Sequence, residues 1–502
     1  MTAQTAEGRE LTAVIGLEVH VQLETDTKIF CGCSTADAEE PNTHTCPVCL
    51  GLPGSLPVVN EAAVEAAVKV GKALGSDVPE QTRFHRKNYY YPDLPKNFQI
   101  TQYDAPICDG GELAFEVDGD RRSVGIERAH LEEDPGSLRH AREGTRDLEN
   151  RTVSVDRADY TLVDYNRAGT PLMEIVTTPD FREASEVRAF LAKLTEVLEY
   201  LGVFDAERDG SLRVDANLSI VDTSGFDGET IPESALESAN RTEVKNISSH
   251  RAAEKALAYE ETRQKNAIQR GREIEQETRH WDDSRGVTVS MRSKEAEKDY
   301  RYFMEADLPP LRVSEWIETI EIPELPDARR ERFRAEYGLD SESASKLTSS
   351  KQLADFFERI ADTFDGTLAA TWVADNLLGE LHYRDMTIAD VEDRLDEFTR
   401  LIELVDEESI TTKNAEEVVL RTMLDEGLDP DEVVDREGLG KTEGDEVVAA
   451  VETAIENNPD AVEDYHDGED GALNFLVGQV MQATGGSADP GTVNELLREQ
   501  LG

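Results

Sequence analysis

From Gly16 to Glu24 apolar and polar residues alternate without a break. Leu17, Val19, Val21 and Leu23 fall on one side and Glu18, His20, Gln22 and Glu24 on the other. This is the period-two pattern of a strand with one buried face. Residues 12–24 are therefore read as a strand that sets Glu18 and His20 side by side on its polar face. A helical pattern rich in Ala and Val runs from about Asn60 to Leu74, with Asn60 suited to an N-cap and Gly75 to a stop. Apolar residues at 187, 190, 191, 194, 197 and 198 predict a second helix over roughly 185–201. Residues 211–222 alternate again like a strand, and a long, mostly polar helix is expected over about 250–277. Strands and turns are expected from Gly111 to about Pro179. Pro309, Pro310 and Pro326 then break the pattern, and the rest of the chain reads as helices separated by short Gly or Asp-Pro turns. The expected fold class is α+β. A body spans 1–305, a Pro-containing junction with the first tail helices spans 306–350, and an all-helical tail spans 351–502.

Charge sharpens that division. The chain has 52 Lys+Arg against 106 Asp+Glu, a net −54. From residue 351 onward there are 10 basic and 39 acidic residues, a net of 10 − 39 = −29. More than half the charge thus lies in under a third of the chain, as expected of a separate tail domain. An acidic surface opposes a polyanionic partner, because nucleic-acid binding rests on neutralising phosphates. The same surface suits molar salt, where the Debye length is only about 3 Å and self-repulsion is screened. A halophilic source is expected, and the charge then says little about partners. No apolar run reaches the ~20 residues of a membrane span. The polar N-terminal stretch lacks the basic and apolar regions of a signal peptide. A cytoplasmic protein with no membrane partner is expected.

Four of the five cysteines fall within nineteen residues, as Cys31-Gly-Cys33 and Cys46-Pro-Val-Cys49. Two close pairs of thiolates suit a closed, structural Zn²⁺ site. A redox dithiol at Cys46 and Cys49 is the rival reading, and it leaves the other pair unexplained. Four ordinary loop thiols are the third. Cys108 reads as a lone core or surface thiol.

Acidic side chains recur in three settings. One is Glu18 with His20 on the strand face. Another is the run His130-Leu-Glu132-Glu133-Asp134. The third is Glu174 in the run 164–175. Carboxylates and an imidazole on sheet strands can bind Mg²⁺ and bridge it to phosphate. In so acidic a chain they can equally be solvated surface groups. Residues 83–97 hold Arg83, His85, Arg86, Lys87 and Lys96 among Tyr89, Tyr90 and Tyr91, with Asp93 the single carboxylate. Such an island suits a phosphate-bearing ligand with tyrosines to stack on a base. The alternative is a core loop whose cations pair with acids elsewhere. Walker and dinucleotide glycine motifs are absent from the sequence, as are a nucleophile elbow and H-E-x-x-H.

Several of these segments together resemble a known family. They are residues 14–23 (VIGLEVHVQL), 87–95 (KNYYYPDLP), 99–103 (QITQY), 125–134 (GIERAHLEED), 164–175 (DYNRAGTPLMEI), 210–216 (GSLRVDA), 243–246 (EVKN) and 277–303, which ends SMRSKEAEKDYRYF. In this order they are similar to the B/E catalytic subunits of tRNA-dependent amidotransferases, and they span nearly all of the first 305 residues. The resemblance implies a glutamine-synthetase-like cradle domain with an antiparallel sheet. It implies a ligase that uses ATP to phosphorylate the side-chain carboxylate of Asp-tRNA(Asn) or Glu-tRNA(Gln), after which ammonia displaces phosphate. An amidase-type A subunit that draws ammonia from glutamine and a small C subunit are the implied partners, in a heterotrimer.

Carried onto this sequence, the resemblance places Lys87, Glu132 and Glu133 at the chemistry. It places Glu18, His20, Glu133 and Glu174 around Mg²⁺, and Lys87, Asn88, Arg213 and Lys245 at ATP or tRNA phosphates. Residues 423–439 and 474–501 resemble the family's tRNA-binding tail, but Gln482, Gly485 and Ser487 stand where related tails carry Lys or Arg. The chain passes from Phe303 through the Pro-rich junction to helices, which leaves no room for the insertion of the E branch.

Overall fold

The computed structural model describes residues 10–139, 161–208, 210–226, 231–293, 300–440, 445–466, 470–485 and 488–502. The expected strands and turns within 140–160, and part of the 277–303 motif, fall outside these. The chain divides into two compact units, one running to Pro326 and one from Asp327 to Gly502. The first is α+β and the second helical. The segment expected as a junction is shared between them: Trp316, Ile317 and Ile320 pack on the core of the first unit, and Phe333 and Leu347 belong to a core of the second.

A 12-stranded sheet frames the first unit. Its strands are β1 (Leu11–Gln22), β2 (His85–Asn88), β3 (Phe98–Thr101), β4 (Cys108–Asp109), β5 (Glu112–Val117), β6 (Asp120–Glu133), β7 (Pro171–Thr177), β8 (Leu212–Asp222), β9 (Thr242–Ile247), β10 (Glu277–Asp282), β11 (Val287–Ser293) and β12 (Phe303–Met304). The order is β11-β10-β9-β8-β1-β7-β6-β3-β2-β12, with β4 and β5 also paired to β6. The sheet is antiparallel as expected except at β9–β10, which run parallel.

β1 takes the centre because its alternation can be buried on one side. Ala13, Ile15, Leu17, Val19 and Val21 face the core, and Leu212, Val214, Ala216 and Leu218 of β8 do the same. The helices α1 (Glu61–Ala73), α2 (Ala184–Tyr200) and α3 (His250–Gln269) contribute to that core. Asn60 caps α1 by accepting from Ala62 N at 2.9 Å. α3 is shorter than the expected 250–277. Gly271 adopts φ +69° just beyond its end, and Glu277 has already entered β10. α3 is thus part of the crossover that a parallel pair requires. Its polar residues are partly internal: Glu260 and Gln264 are fully buried beside Ala252, Ala253, Ala256 and Leu257.

The second unit has two apolar cores. One gathers residues between Phe333 and Leu439, the other residues between Val447 and Leu501. The expected punctuation is present. Gly427 and Gly438 close helices in the left-handed conformation, and Asp429 and Asp489 cap helices that begin at Pro430 and Pro490. Of the tail positions singled out in the sequence, Ser487 lies outside the described residues. Among the described residues no helix is long and apolar enough to cross a membrane.

Candidate active site

Strand register assembles a polar face on the sheet. His20 lies opposite Glu174 on one side and Arg213 on the other. Glu174 in turn lies opposite His130, and Leu172 opposite Glu132. Because side chains alternate along a strand, Glu18, His20, Glu174, His130, Glu132, Arg213 and Asp215 share one face. His20 Nδ1 sits 3.2 Å from a Glu132 carboxylate oxygen and 4.0 Å from Glu174. His130 Nε2 sits 3.6 Å from the same Glu174 oxygen. One donor atom from each of His20, Glu132 and Glu174 lies within 4.8 Å of the others, so these three could hold a metal ion.

The field around this cluster is strongly coupled. Burial alone would lower His20, but the hydrogen bond to Glu132 and the charge of Glu174 raise it above the ordinary imidazole range. Burial would raise Glu132, and the bond with His20 together with the charges of His20 and Lys87 outweighs it and holds the carboxyl low. His130 is pushed down by burial, and its Nδ1 has no partner among the described residues. Glu18 stands two residues along β1 and accepts from Asn217 at 3.1 Å. Burial, then the charge of Glu174, raises its carboxyl.

Lys87 reaches this face from β2. Burial opposes its charge, but Glu132 and Glu174 outweigh that and keep it raised. Its ammonium lies 5.2 Å from the centre of the Tyr300 ring. The other three cations of the basic-aromatic island are paired: Arg83 with Asp104, Arg86 with Glu305 through bonds of 2.6 and 2.7 Å, and Lys96 with Glu133. The core-loop reading of the island therefore holds for three of its four cations. Three cations tie the loop down, and Lys87 has no ion pair among the described residues.

The remaining expected residues divide. Arg213 donates to Asp134 at 2.7 Å, and Lys245 bonds Asp215 and, at 2.9 Å, Glu243. Both lie beside the cluster with their charges met by carboxylates. Asn88 is spent on backbone: its amide donates to the carbonyl of Arg301 at 2.8 Å, and its N–H donates to that of Tyr300 at 2.9 Å. It thereby positions Tyr300 beside Lys87. Glu133 is not brought together with Glu18, His20 and Glu174. The alternation of β6 turns it to the opposite face, where it accepts from Ile100 N at 2.7 Å and pairs with Lys96. There it lines a separate cavity of about 210 Å³ with Lys28, Cys49, Arg86 and Glu305.

Three residues of the site were given no individual role from the sequence, although His130 and Asp134 stood in the acidic run offered for Mg²⁺. His130 is two residues from Glu132 and shares its parity, a signal the strand pattern carried. Asp134, whose carboxylate collects Gln22, Arg167 and Arg213, carried none. Tyr302, stacked on Tyr103 with ring centres 4.1 Å apart, carried none either.

The four clustered cysteines do converge. Cys31, Cys33, Cys46 and Cys49 are all free thiols whose sulfurs lie within 4.8 Å of one another, so they too could hold a metal ion. The hydrogen bond from Cys31, more than the Cys46 N–H or the Lys28 ammonium, draws Cys49 well below the usual thiol range. Cys108 is buried in the core, away from them.

Comparison with known proteins agrees with this arrangement. The GatB/GatE catalytic domain family matches residues 13–318, and the GatB domain family matches residues 355–501. Among similar proteins is the B subunit of the aspartyl/glutamyl-tRNA(Asn/Gln) amidotransferase of Natronomonas pharaonis, 78% identical over the whole of both chains. The proteins of that name from Haloarcula marismortui and Methanospirillum hungatei are 74% and 52% identical, over 100% and 98% of this chain and 100% and 99% of theirs. With its sheet unit and helical tail both matched and its full length covered, the chain belongs to the B-subunit family of these amidotransferases.

Proposed function

We propose that this chain activates the side-chain carboxylate of Asp-tRNA(Asn), Glu-tRNA(Gln) or both with ATP, and passes it to ammonia. It is then a carbon–nitrogen ligase that takes its amide nitrogen from glutamine through a partner. The observation that carries this reading is Lys87, a cation without an ion pair among the described residues, held beside the His20–Glu132–Glu174 cluster on one polar sheet face. The names of the full-length relatives supply the substrate class.

In the first step a carboxylate oxygen of the aminoacyl group attacks the γ-phosphorus of ATP. The P–O bond to ADP breaks and an acyl phosphate forms. In the second step ammonia attacks the acyl carbon, phosphate leaves with its electron pair, and the attacking nitrogen loses a proton. Little covalent chemistry falls to the protein, so placement and charge carry the catalysis. Lys87 neutralises charge on the transferred phosphoryl group. Arg213 and Lys245 add positive potential at the rim of the same face. His130, kept neutral by burial, holds Glu174 in place.

His20, Glu132 and Glu174 fit a hard divalent cation. Donor atoms around Mg²⁺ at 2.0–2.1 Å lie roughly 3–4 Å apart, near the spacing of these three. Bound there, Mg²⁺ would offset phosphate charge. The cysteine cluster fits zinc: four thiolates at about 2.3 Å in a tetrahedron stand about 3.8 Å apart, and Cys46 and Cys49 sulfurs are 3.9 Å apart. With all four positions filled by protein, that site is structural. A glutamine-synthetase-like cradle is the fold that agrees with this chemistry, with the helical tail as a tRNA-binding module. Most tail cations are already spent on acids, among them Arg384, Arg394, Arg400, Arg421 and Arg436. tRNA capture by the tail then rests on shape and water-mediated contact more than on free charge.

Co-expression with A and C subunits, followed by assay in high salt with both aminoacyl-tRNAs, ATP, Mg²⁺ and glutamine or ammonium, tests the reading. ATP-dependent formation of Asn-tRNA or Gln-tRNA is the expected result. Bound tRNA that stays unamidated with ammonium supplied overturns it.

A further inference from the structure

A cavity of about 630 Å³ opens between α2, the loop leading into β8 and the first turn of α3. Arg188, Arg208, Arg251 and His250 line it, and Glu207 is the single carboxylate among the described lining residues. That balance reverses the balance of the chain, in which acids outnumber bases 106 to 52. Ser211 forms part of the wall and is only 5% exposed. Its backbone is satisfied, with N–H donating to Arg208 O and O accepting from Gln22 N. Its hydroxyl has no partner among the described residues. The residue lines the cavity, so its hydroxyl stands at the wall as a donor and acceptor for a ligand.

The surrounding groups point the same way. α3 begins at the wall, capped by Ser249 through Ala252 N at 3.1 Å, and its first turn carries no acid. Arg251 is exposed and without a partner among the described residues. Arg188 is tied to Glu254 at 3.2 Å, and Arg208 donates to the carbonyl of Thr35, so both guanidinium planes are held in place. His250 is engaged with Thr195 at 3.0 Å. Guanidinium groups, a hydroxyl and a helix start around one hollow match a phosphate group, which accepts several hydrogen bonds and carries negative charge.

We propose that this cavity binds a phosphate group, and that in the assembled enzyme it is a backbone phosphodiester of the tRNA substrate. The assignment to tRNA rests on the function proposed above. Leu212 lines the cavity and Arg213, the next residue of β8, stands opposite His20. Leu212 faces the core and Arg213 the polar face, so RNA clamped here is held at the start of β8 on the helix-covered side of the sheet, in addition to any hold by the tail.

The test uses the heterotrimer in high salt. Wild type is compared with Arg251→Gln, with the Arg188→Gln/Arg251→Gln pair and with the conservative Arg251→Lys. The readouts are kcat and KM for aminoacyl-tRNA, KM for ATP, and tRNA Kd across KCl concentrations. The double variant should raise the tRNA KM about tenfold and leave the ATP KM in place. Its log Kd should depend on log salt less steeply by about 0.9 per phosphate released. Arg251→Lys should recover most of the affinity. Equilibrium dialysis of the same proteins with radiolabelled inorganic phosphate separates the sources. Phosphate lost from the double variant, with tRNA KM and salt slope unmoved, overturns the tRNA assignment. No effect in either measurement overturns the site. Should wild type amidate neither tRNA, the proposed function falls, while tRNA Kd and its salt slope still decide the cavity.

Discussion

Glu132 and Glu133 are neighbours in the chain and stand on opposite faces of the sheet. Glu132 meets His20 at 3.2 Å, and Glu133 meets Lys96 behind it. One residue of strand thus separates a carboxylate in the His20–Glu174 cluster from one in a different cavity. Glu132→Gln should lower aminoacyl-tRNA-dependent ADP formation by about 10²-fold or more. Glu133→Gln should lower that step less than tenfold. Equal loss in both variants, measured with ammonium as nitrogen source, would show that the two faces do not divide the chemistry.

The cysteine cluster makes a prediction about metal content. Purified protein should carry about one zinc per chain, since four thiolates complete its shell. Cys46→Ser should lose the metal, lower the melting temperature and expose the loop around residues 31–57 to protease. Cys108→Ser removes a thiol buried in the core and should keep its zinc. Elemental analysis of the three proteins checks this, and equal zinc in all of them would sink it.

Stability should depend sharply on Glu260. It is fully buried and collects Arg263 at 2.9 Å, Gln264 and Thr288 at 2.8 Å each, and Arg279 at 3.5 Å. Removing one side of such a network leaves buried charge unpaired, at a cost of about 3–5 kcal/mol. Glu260→Ala should fall by about that much in chemical unfolding at fixed salt. A loss under about 1 kcal/mol would place the network among weak surface pairs.

Acid sensitivity should trace in part to Glu305. Burial would raise its carboxyl, but the hydrogen bonds and charge of Arg86 together with the Asp307 N–H outweigh burial and hold it below the ordinary value. The folded value therefore lies below that of the unfolded chain, which is about 4.3. The pair contributes its full stability above that pH, and the contribution fades as pH falls through the depressed folded value. Glu305→Gln should flatten the fall of stability below about pH 4 relative to wild type. Parallel curves from acid titrations of both proteins would assign the acid response elsewhere.

Much of the site was legible because strands obey a simple rule. The alternation of 16–24 already put Glu18 and His20 on one face, and the cysteine spacing already grouped four thiols. The same rule, extended from Leu131, separates Glu132 from Glu133 and brings in His130. The position of Glu133 was thus readable, but a run of adjacent acids masked its parity. Other features needed the third dimension. Which cation stays unpaired depends on Asp104, Glu133 and Glu305, which come from distant parts of the chain. The end of α3 depends on a parallel partner for β10, and the burial of Glu260 on arginines brought in by that pairing. The helical character of the tail was readable, because Gly and Asp-Pro mark helix ends by local geometry alone.

The central position of β1 has a consequence for how the protein is made. Leu11 pairs with Asp222, and Val21 with Met173 and Leu212. At roughly 5–20 residues per second, β1 waits about 10–40 s for its second neighbour to be synthesised. Through that interval β1 lacks at least one of the two strands that flank it in the finished sheet. The pace of synthesis, and any chaperone that meets the nascent chain, therefore bear on yield before a single catalytic group exists.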